Sequence, residues 1–283
     1  MSGSPDEYRP FSGGGTPARP WAVVTGASSG IGEALARGLA AHGHPVWLVA
    51  RRGDVLERLA KELRAAHGVD IEISVCDLAD RGQRARLRDA LAAVPVAVLC
   101  NNAGFPTCGV LTANDPAREI EEVEVNVAAV HDLTMAVLPG MLERRSGAIL
   151  FTGSTAGVQP VPTAATYAAS KAFVNSFAEA LHEEMAGTGV TCTLLAPGPV
   201  RSEFSAVGGI GDIESTRWFA WKTPERVAGE ALAGLKDARR VVVPGAAAKS
   251  QAFFGRYLPR PVAFWVMRAA VLPTLRSSRR TTS

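Results

Sequence analysis

An apolar run, Trp21-Ala22-Val23-Val24, passes directly into Thr25-Gly26-Ala27-Ser28-Ser29-Gly30-Ile31-Gly32 and then into a helical pattern that reaches Ala41. Strand, glycine turn and helix in that order constrain the fold more than any other stretch of the chain. Glycines at 26, 30 and 32 permit a tight turn and a close backbone approach to an anion. A helix N-terminus just beyond them offers unpaired N–H groups and a favourable dipole. Ser28, Ser29 and Ile31 lie within the same turn. The spacing is G-x-x-x-G-x-G, which differs from the G-x-G-x-x-G of the common dinucleotide fingerprint. The alternative is a glycine turn that holds no ligand.

The pattern continues in the manner of a parallel sheet with helices on both faces. Strands are expected near 21–25, 46–50, 71–75, 96–100, 148–152, 190–195 and 240–243. Helices are expected near 31–42, 54–66, 80–92, 117–143, 165–187 and 224–236. A chain of 283 residues has room for one large α/β domain of this kind.

About 20 residues past the glycines, Leu48-Val49-Ala50-Arg51-Arg52 closes the second strand. In a dinucleotide fold this position faces the adenosine ribose. A carboxylate there would accept from the 2′-hydroxyl; the planar forks of Arg51 and Arg52 suit a 2′-phosphate instead. The pair therefore points to NADP, with a solvated surface pair as the plainer reading. Asp54, before the next helical run, reads as an N-cap. At the end of the fourth strand, Asn101-Asn102-Ala103-Gly104 places side-chain amides and a glycine where a cofactor crevice would open.

Tyr167-Ala168-Ala169-Ser170-Lys171 carries the chemistry. Residues at i and i+4 share a helix face. A cation beside a phenol favours the phenolate and is expected to lower its pKa by about 1–3 units, making a proton donor and acceptor usable near neutrality.

Thr25-Gly26-x3-Gly30-x-Gly32, Asn101-Asn102-Ala103-Gly104, Asn126, Ser154, Tyr167-x3-Lys171 and Pro197-Gly198 occur in an order and spacing that resemble the short-chain dehydrogenase/reductase family. The resemblance covers residues 20–245 and implies a Rossmann-type, doubly wound parallel sheet of about seven strands. It also implies a catalytic set of Asn126, Ser154, Tyr167 and Lys171. Tyr167 would be the acid in reduction and the base in oxidation. Lys171 would hold the nicotinamide ribose and lower the tyrosine pKa, and Ser154 would donate to the substrate carbonyl oxygen. Asn126, on the 117–143 helix, would help hold a water in a relay to Lys171. Asp77 and Leu78 would border the adenine. Pro197, Gly198, Val200 and Ser202 would meet the nicotinamide end, Ser202 standing where the family often has threonine. NADP(H) is the implied cofactor, and a homo-dimer or homo-tetramer the implied assembly.

Cys76, Cys100, Cys108 and Cys192 form no C-x-x-C pair and no disulfide framework, which points to a cytoplasmic protein. No histidine pattern reads as a metal site, and no nucleic-acid partner is expected. Residues 1–19, rich in Gly, Ser and Pro, read as a disordered tail. The last 46 residues contain nine Lys or Arg and no Asp or Glu. Within the 246–283 extension, Pro261 to Leu272 is apolar apart from Arg268, too short for a bilayer span of about 20 residues. A basic, apolar-faced helix there would suit an anionic membrane surface, or else pack over the cleft.

Phe204, Trp218, Phe219 and Trp221, with charge-poor loops at 105–111 and 157–162, suit an apolar ketone or alcohol of acyl, steroid or other lipid type, the plainer reading being that the aromatics pack a lid or an oligomer interface. The expected activity is reduction of such a carbonyl with NADPH. The alternatives are an oxidising alcohol or hydroxysteroid dehydrogenase, and a non-catalytic NADP-sensing or membrane-associated binding protein on the same fold.

Overall fold

The computed structural model describes residues 19–201, 221–259, 261, 262, 264 and 265. Its strands are β1 (Trp21–Thr25), β2 (Val46–Ala50), β3 (Ile71–Val75), β4 (Val96–Asn101), β5 (Gly147–Thr152), β6 (Val190–Leu195) and β7 (Val241–Val242). They form one sheet in the order β3-β2-β1-β4-β5-β6-β7, and every pairing is parallel. The helices are α1 (Gly30–Ala41), α2 (Gly53–His67), α3 (Arg81–Ala92), α4 (Pro116–Val123), α5 (Ala129–Glu143), α6 (Ala165–Glu184), α7 (Pro224–Lys236) and α8 (Ala246–Tyr257).

The strand sequences explain this layering. WAVVT in β1 and VWLVA in β2 are buried along their whole length, as strands covered on both faces must be. Side chains alternate between the faces. Trp21 and Val23 join one core layer with Trp47, Leu99, Ile149 and Phe151, under Leu87, Leu133 and Val174 of α3, α5 and α6. Ala22 and Val24 join the other with Leu48, Cys100 and Leu150, under Leu35, Leu56 and Val227 of α1, α2 and α7. Each fully buried leucine contributes about 1.5–3 kcal/mol. Strand order reverses between β1 and β4, so a crevice opens at their carboxyl ends.

Helix starts follow local chemistry. Asp80 accepts from the N–H groups of Gly82 and Gln83 at 2.8 and 2.9 Å. Asp115 caps α4 ahead of Pro116, and Thr223 caps α7 ahead of Pro224. Asp54 is not the N-cap expected of it. The cap position is Arg52, and Asp54 lies within the first turn of α2, where its charge meets the helix dipole.

The single helix expected over 117–143 is interrupted by a π segment, Glu124–Ala128, that carries Asn126. Such bulges recur at functional sites. The 116–143 run has the length and apolar character of a membrane span, but half of that window is buried in the protein.

All four cysteines are free, with Cys76, Cys100 and Cys192 buried. Burial pushes those three thiols up to about 12. Residues 1–18 of the expected tail lie outside the described residues, as do Ser202, Phe204, Trp218, Phe219 and everything after Trp265.

Candidate active site

The cleft at the carboxyl ends of β1, β4 and β5 has a volume of about 570 Å³. Its floor begins at the glycine turn. Gly26 adopts φ +66°, and a Cβ there would lie 2.9 Å from Ala103 Cα. Gly32 leaves even less room, since its Cβ would fall 2.1 Å from the Gly26 carbonyl oxygen. Gly26, Ser28, Ser29, Gly30 and Ile31 line the cleft, whereas Gly32 sits behind it and lets the turn fold onto itself.

Thr25 ties this turn to the β4 loop. Its hydroxyl donates to the Cys100 carbonyl at 3.2 Å and accepts from the Asn102 and Ala103 N–H groups, both at 3.0 Å. The Asn102 amide donates to the Thr25 carbonyl at 3.1 Å and accepts from the Thr152 hydroxyl at 3.3 Å. One side chain thus joins β1, β4 and β5. Asn101 does not share the crevice with it. Asn101 is buried and donates to Thr134 of α5 at 2.9 Å, because alternation along β4 turns it toward the core.

Arg51 and Arg52 flank the same end of the cleft, as do Asp77 and Leu78 after β3. Arg51 pairs with Glu121 of α4 at 3.1 Å. Arg52 donates to the Ser28 carbonyl at 3.0 Å and to its hydroxyl at 3.2 and 3.3 Å, which places its guanidinium at the glycine turn.

At the opposite end lie Ser154, Tyr167 and Lys171, with Pro197, Gly198 and Val200 completing the wall. Ser154 caps the 3-10 turn Thr155–Val158, its hydroxyl accepting from Ala156 N–H at 3.0 Å. Asn175 clamps its backbone on both sides: Oδ1 accepts from Ser154 N–H at 3.3 Å, and Nδ2 donates to the Ser154 carbonyl at 3.0 Å. Tyr167 hydrogen-bonds with the Ser154 side chain.

Lys171 Nζ lies 5.9 Å from the Tyr167 ring centroid and donates to the Thr152 carbonyl at 2.8 Å. The expected lowering of the phenol by this ammonium is not what the structure shows. Burial raises the Tyr167 pKa above its ordinary value, Glu122 adds to the rise, and the Ser154 hydrogen bond only partly offsets it. Burial likewise pushes Lys171 down to about 8, against the opposing pull of Glu122.

Asn126 is fully buried behind Gly104. Its Oδ1 accepts from Phe105 N–H at 3.1 Å; its Nδ2 donates to the Phe105 carbonyl and to the Ser170 hydroxyl, each at 3.0 Å. The side chain therefore fixes the β4 loop against α6.

Several residues here were not singled out from sequence. Asn175 continues the Tyr167–Lys171 face by one more turn, a signal that i+8 spacing carried. Glu122 stands one turn before Asn126. Gln251 of α8 lines the cleft and meets the Thr155 hydroxyl at 3.3 Å, a contact 96 residues apart that no local pattern announces.

An open parallel sheet with a glycine turn at its switch point and a Ser-Tyr-Lys cluster across the cleft has the layout of a dinucleotide-binding fold. A family model, short chain dehydrogenase, matches residues 20–208, and the chain belongs to that family. It is 37% identical to a very-long-chain 3-oxoacyl-CoA reductase from Anas platyrhynchos over 193 residues, which is 66% of this chain and 62% of that one. It is 32% identical to the protein called inactive hydroxysteroid dehydrogenase-like protein 1 of Rattus norvegicus, over 87% of this chain and 74% of that one. A solved short-chain dehydrogenase from Sphingobium yanoikuyae in complex with NADPH superposes with a TM-score of 0.77 at 30% identity, covering 84% of this chain and 93% of that one.

Proposed function

We propose that the chain is an NADPH-dependent reductase of apolar carbonyl compounds, reversible in principle, with an acyl-, steroid- or other lipid-like substrate. One observation carries this reading: Ser154, Tyr167 and Lys171 meet in one cleft whose other end holds the glycine turn and two arginines. The cofactor fits the residues present. The side-chain-free floor at Gly26 and Gly30 suits the pyrophosphate, Arg51 and Arg52 suit a 2′-phosphate, and Asp77, Leu78, Asn102, Ala103 and Gly104 form the adenosine and ribose wall. The similarity to the NADPH complex supports the same assignment.

When bound, the nicotinamide supplies the hydride. The protein supplies the proton and the geometry. Tyr167 donates its hydroxyl proton to the substrate oxygen, and Ser154 donates a hydrogen bond to the same oxygen, held in place by Asn175. Lys171 orients the ribose end and keeps positive charge near the developing oxyanion. Asn126 holds the loop after β4 in register and takes part in the relay toward Lys171. Val200, with Pro197 and Gly198, meets the nicotinamide end.

Trp221, Phe105, Ala156 and Gln251 line the substrate side, a mostly apolar set with one amide. A panel of apolar ketones incubated with the protein is therefore expected to consume NADPH, read as loss of nicotinamide absorbance. Tight NADPH binding with no consumption by any of them overturns the reductase reading in favour of a binding protein.

The C-terminal region supports a peripheral membrane contact. Phe253, Phe254 and Tyr257 of α8 are 59%, 53% and 67% exposed, and Trp265 is 72% exposed. They lie in the stretch that has no acidic residue. Basic charge and interfacial aromatics together suit anionic lipid. The protein is expected to float with phosphatidylserine-containing vesicles at low salt and to be released by high salt; full recovery in the soluble fraction at low salt overturns this.

A further inference from the structure

Glu122 lies in α4 one turn before Asn126, and its relative exposure is 0%. A carboxylate in such a place is costly unless partnered. Its Oε2 accepts from Thr107 N–H at 2.9 Å and from the Thr107 hydroxyl at 2.5 Å, and Oε1 accepts from Asn126 Nδ2 at 3.4 Å. These contacts hold the loop that follows β4 on the substrate side. They also join it to Asn126, whose Oδ1 and the Lys171 ammonium face the same point: a Cβ on Gly104 would lie 2.8 Å from Asn126 Oδ1 and 3.2 Å from Lys171 Nζ.

The charged and titratable groups around Glu122 come from three elements. Tyr167 and Lys171 face it from α6, Glu119 from α4, and Cys108 from the β4 loop. Lys171 is the cation among them. Conversely, Glu122 is the charge that acts on Lys171 among the described residues. A buried ammonium with one nearby carboxylate depends on it to stay ionised.

We propose, on the basis of the reductase reading above, that Glu122 is a positioning residue of the catalytic centre: its buried carboxylate anchors the Thr107 loop and is the counter-charge that keeps Lys171 protonated. Burial pushes Glu122 up to about 7 and Lys171 down to about 8, and each partner pulls the other back toward its charged form. Glu122 therefore gains its charge as pH rises through about 7, and Lys171 loses its own above about 8. Carboxylate and ammonium are charged together chiefly between those two values.

The test reads Lys171 directly and needs no turnover. With lysine labelled by ¹³C at the ε-carbon, the Lys171 resonance is assigned by its loss in Lys171→Arg and followed through a pH titration. Glu122→Gln, which keeps the shape and most hydrogen bonding, is expected to lower the Lys171 midpoint by about half a unit or more. Glu122→Asp, which keeps the charge, is expected to hold it near the wild-type value. In active enzyme the alkaline limb of the turnover profile moves with the midpoint, so the glutamine variant loses more activity on the alkaline side than on the acid side. A Lys171 midpoint unchanged in Glu122→Gln overturns the proposal. Should that variant fail to fold, Thr107→Val substitutes: it removes a hydroxyl donor from the carboxylate and must lower the midpoint by a smaller amount, and no movement there is equally fatal. The titration can succeed while every ketone fails, so the two readings fall separately.

Discussion

Tyr167→Phe lowers turnover by roughly a hundred- to ten-thousand-fold while NADPH binding stays nearly unchanged. The hydroxyl is the proton donor that the geometry offers at the substrate end. It hydrogen-bonds with Ser154, whose backbone is held at both N–H and carbonyl by Asn175. Burial keeps the Tyr167 phenol protonated, which suits a group that must give a proton to a carbonyl oxygen. Phenylalanine keeps the ring, and with it the packing beside Lys171. The lost hydrogen bond costs about 1 kcal/mol of stability, too little to unfold the protein. Single-turnover absorbance with an apolar ketone measures the first effect, and fluorescence titration with NADPH measures the second. Turnover at the wild-type rate removes Tyr167 from the chemistry. Equal loss of NADPH binding and turnover makes the residue structural.

The sheet was legible because each strand is a short, mostly apolar run bounded by a turn, and because buried parallel strands leave little else for such runs to be. The glycine turn and the Tyr167–Lys171 pair were legible for a different reason: each is a fixed spacing within a single element. What escaped depended on long-range packing. The π segment at Glu124–Ala128 carries Asn126, whose amide is bonded to Phe105 and Ser170, neither of them a sequence neighbour. Asn101 and Asn102 are indistinguishable as a pair of amides, and only strand alternation sends one to the core and the other to the cleft. The phenol pKa was misjudged in direction because a helical i, i+4 pair reveals proximity but not burial. Lys171 reaches the Thr152 carbonyl, and desolvation dominates both side chains. Ser202, Phe204, Trp218 and Phe219 lie outside the described residues.

Arg51→Glu combined with Arg52→Ala weakens NADPH by about ten- to a hundred-fold and leaves NADH almost untouched. The reasoning compares two contacts for one guanidinium. Arg51 is paired with Glu121 at 3.1 Å, but its side chain is 53% exposed. An ion pair so open to water is worth about 0–1 kcal/mol. A charge-assisted bond to a 2′-phosphate is worth about 1.5–3 kcal/mol, and the planar guanidinium matches a phosphate face better than a single carboxylate oxygen does. Phosphate therefore wins the arginine. Arg52 is already turned to the glycine turn by Ser28, so a second guanidinium stands at the same end of the cleft. Replacing Arg51 with glutamate sets two carboxylates side by side, since Glu121 remains, and both repel the phosphate. A 2′-hydroxyl carries no charge to repel and can donate to the new carboxylate. The measurement is the ratio of dissociation constants for NADPH and NADH in the wild type and the double variant, taken at fixed low salt because screening shrinks the difference. A ratio that stays the same, with both cofactors weakened alike, places the phosphate contact elsewhere and leaves Arg51 and Arg52 as a solvated surface pair.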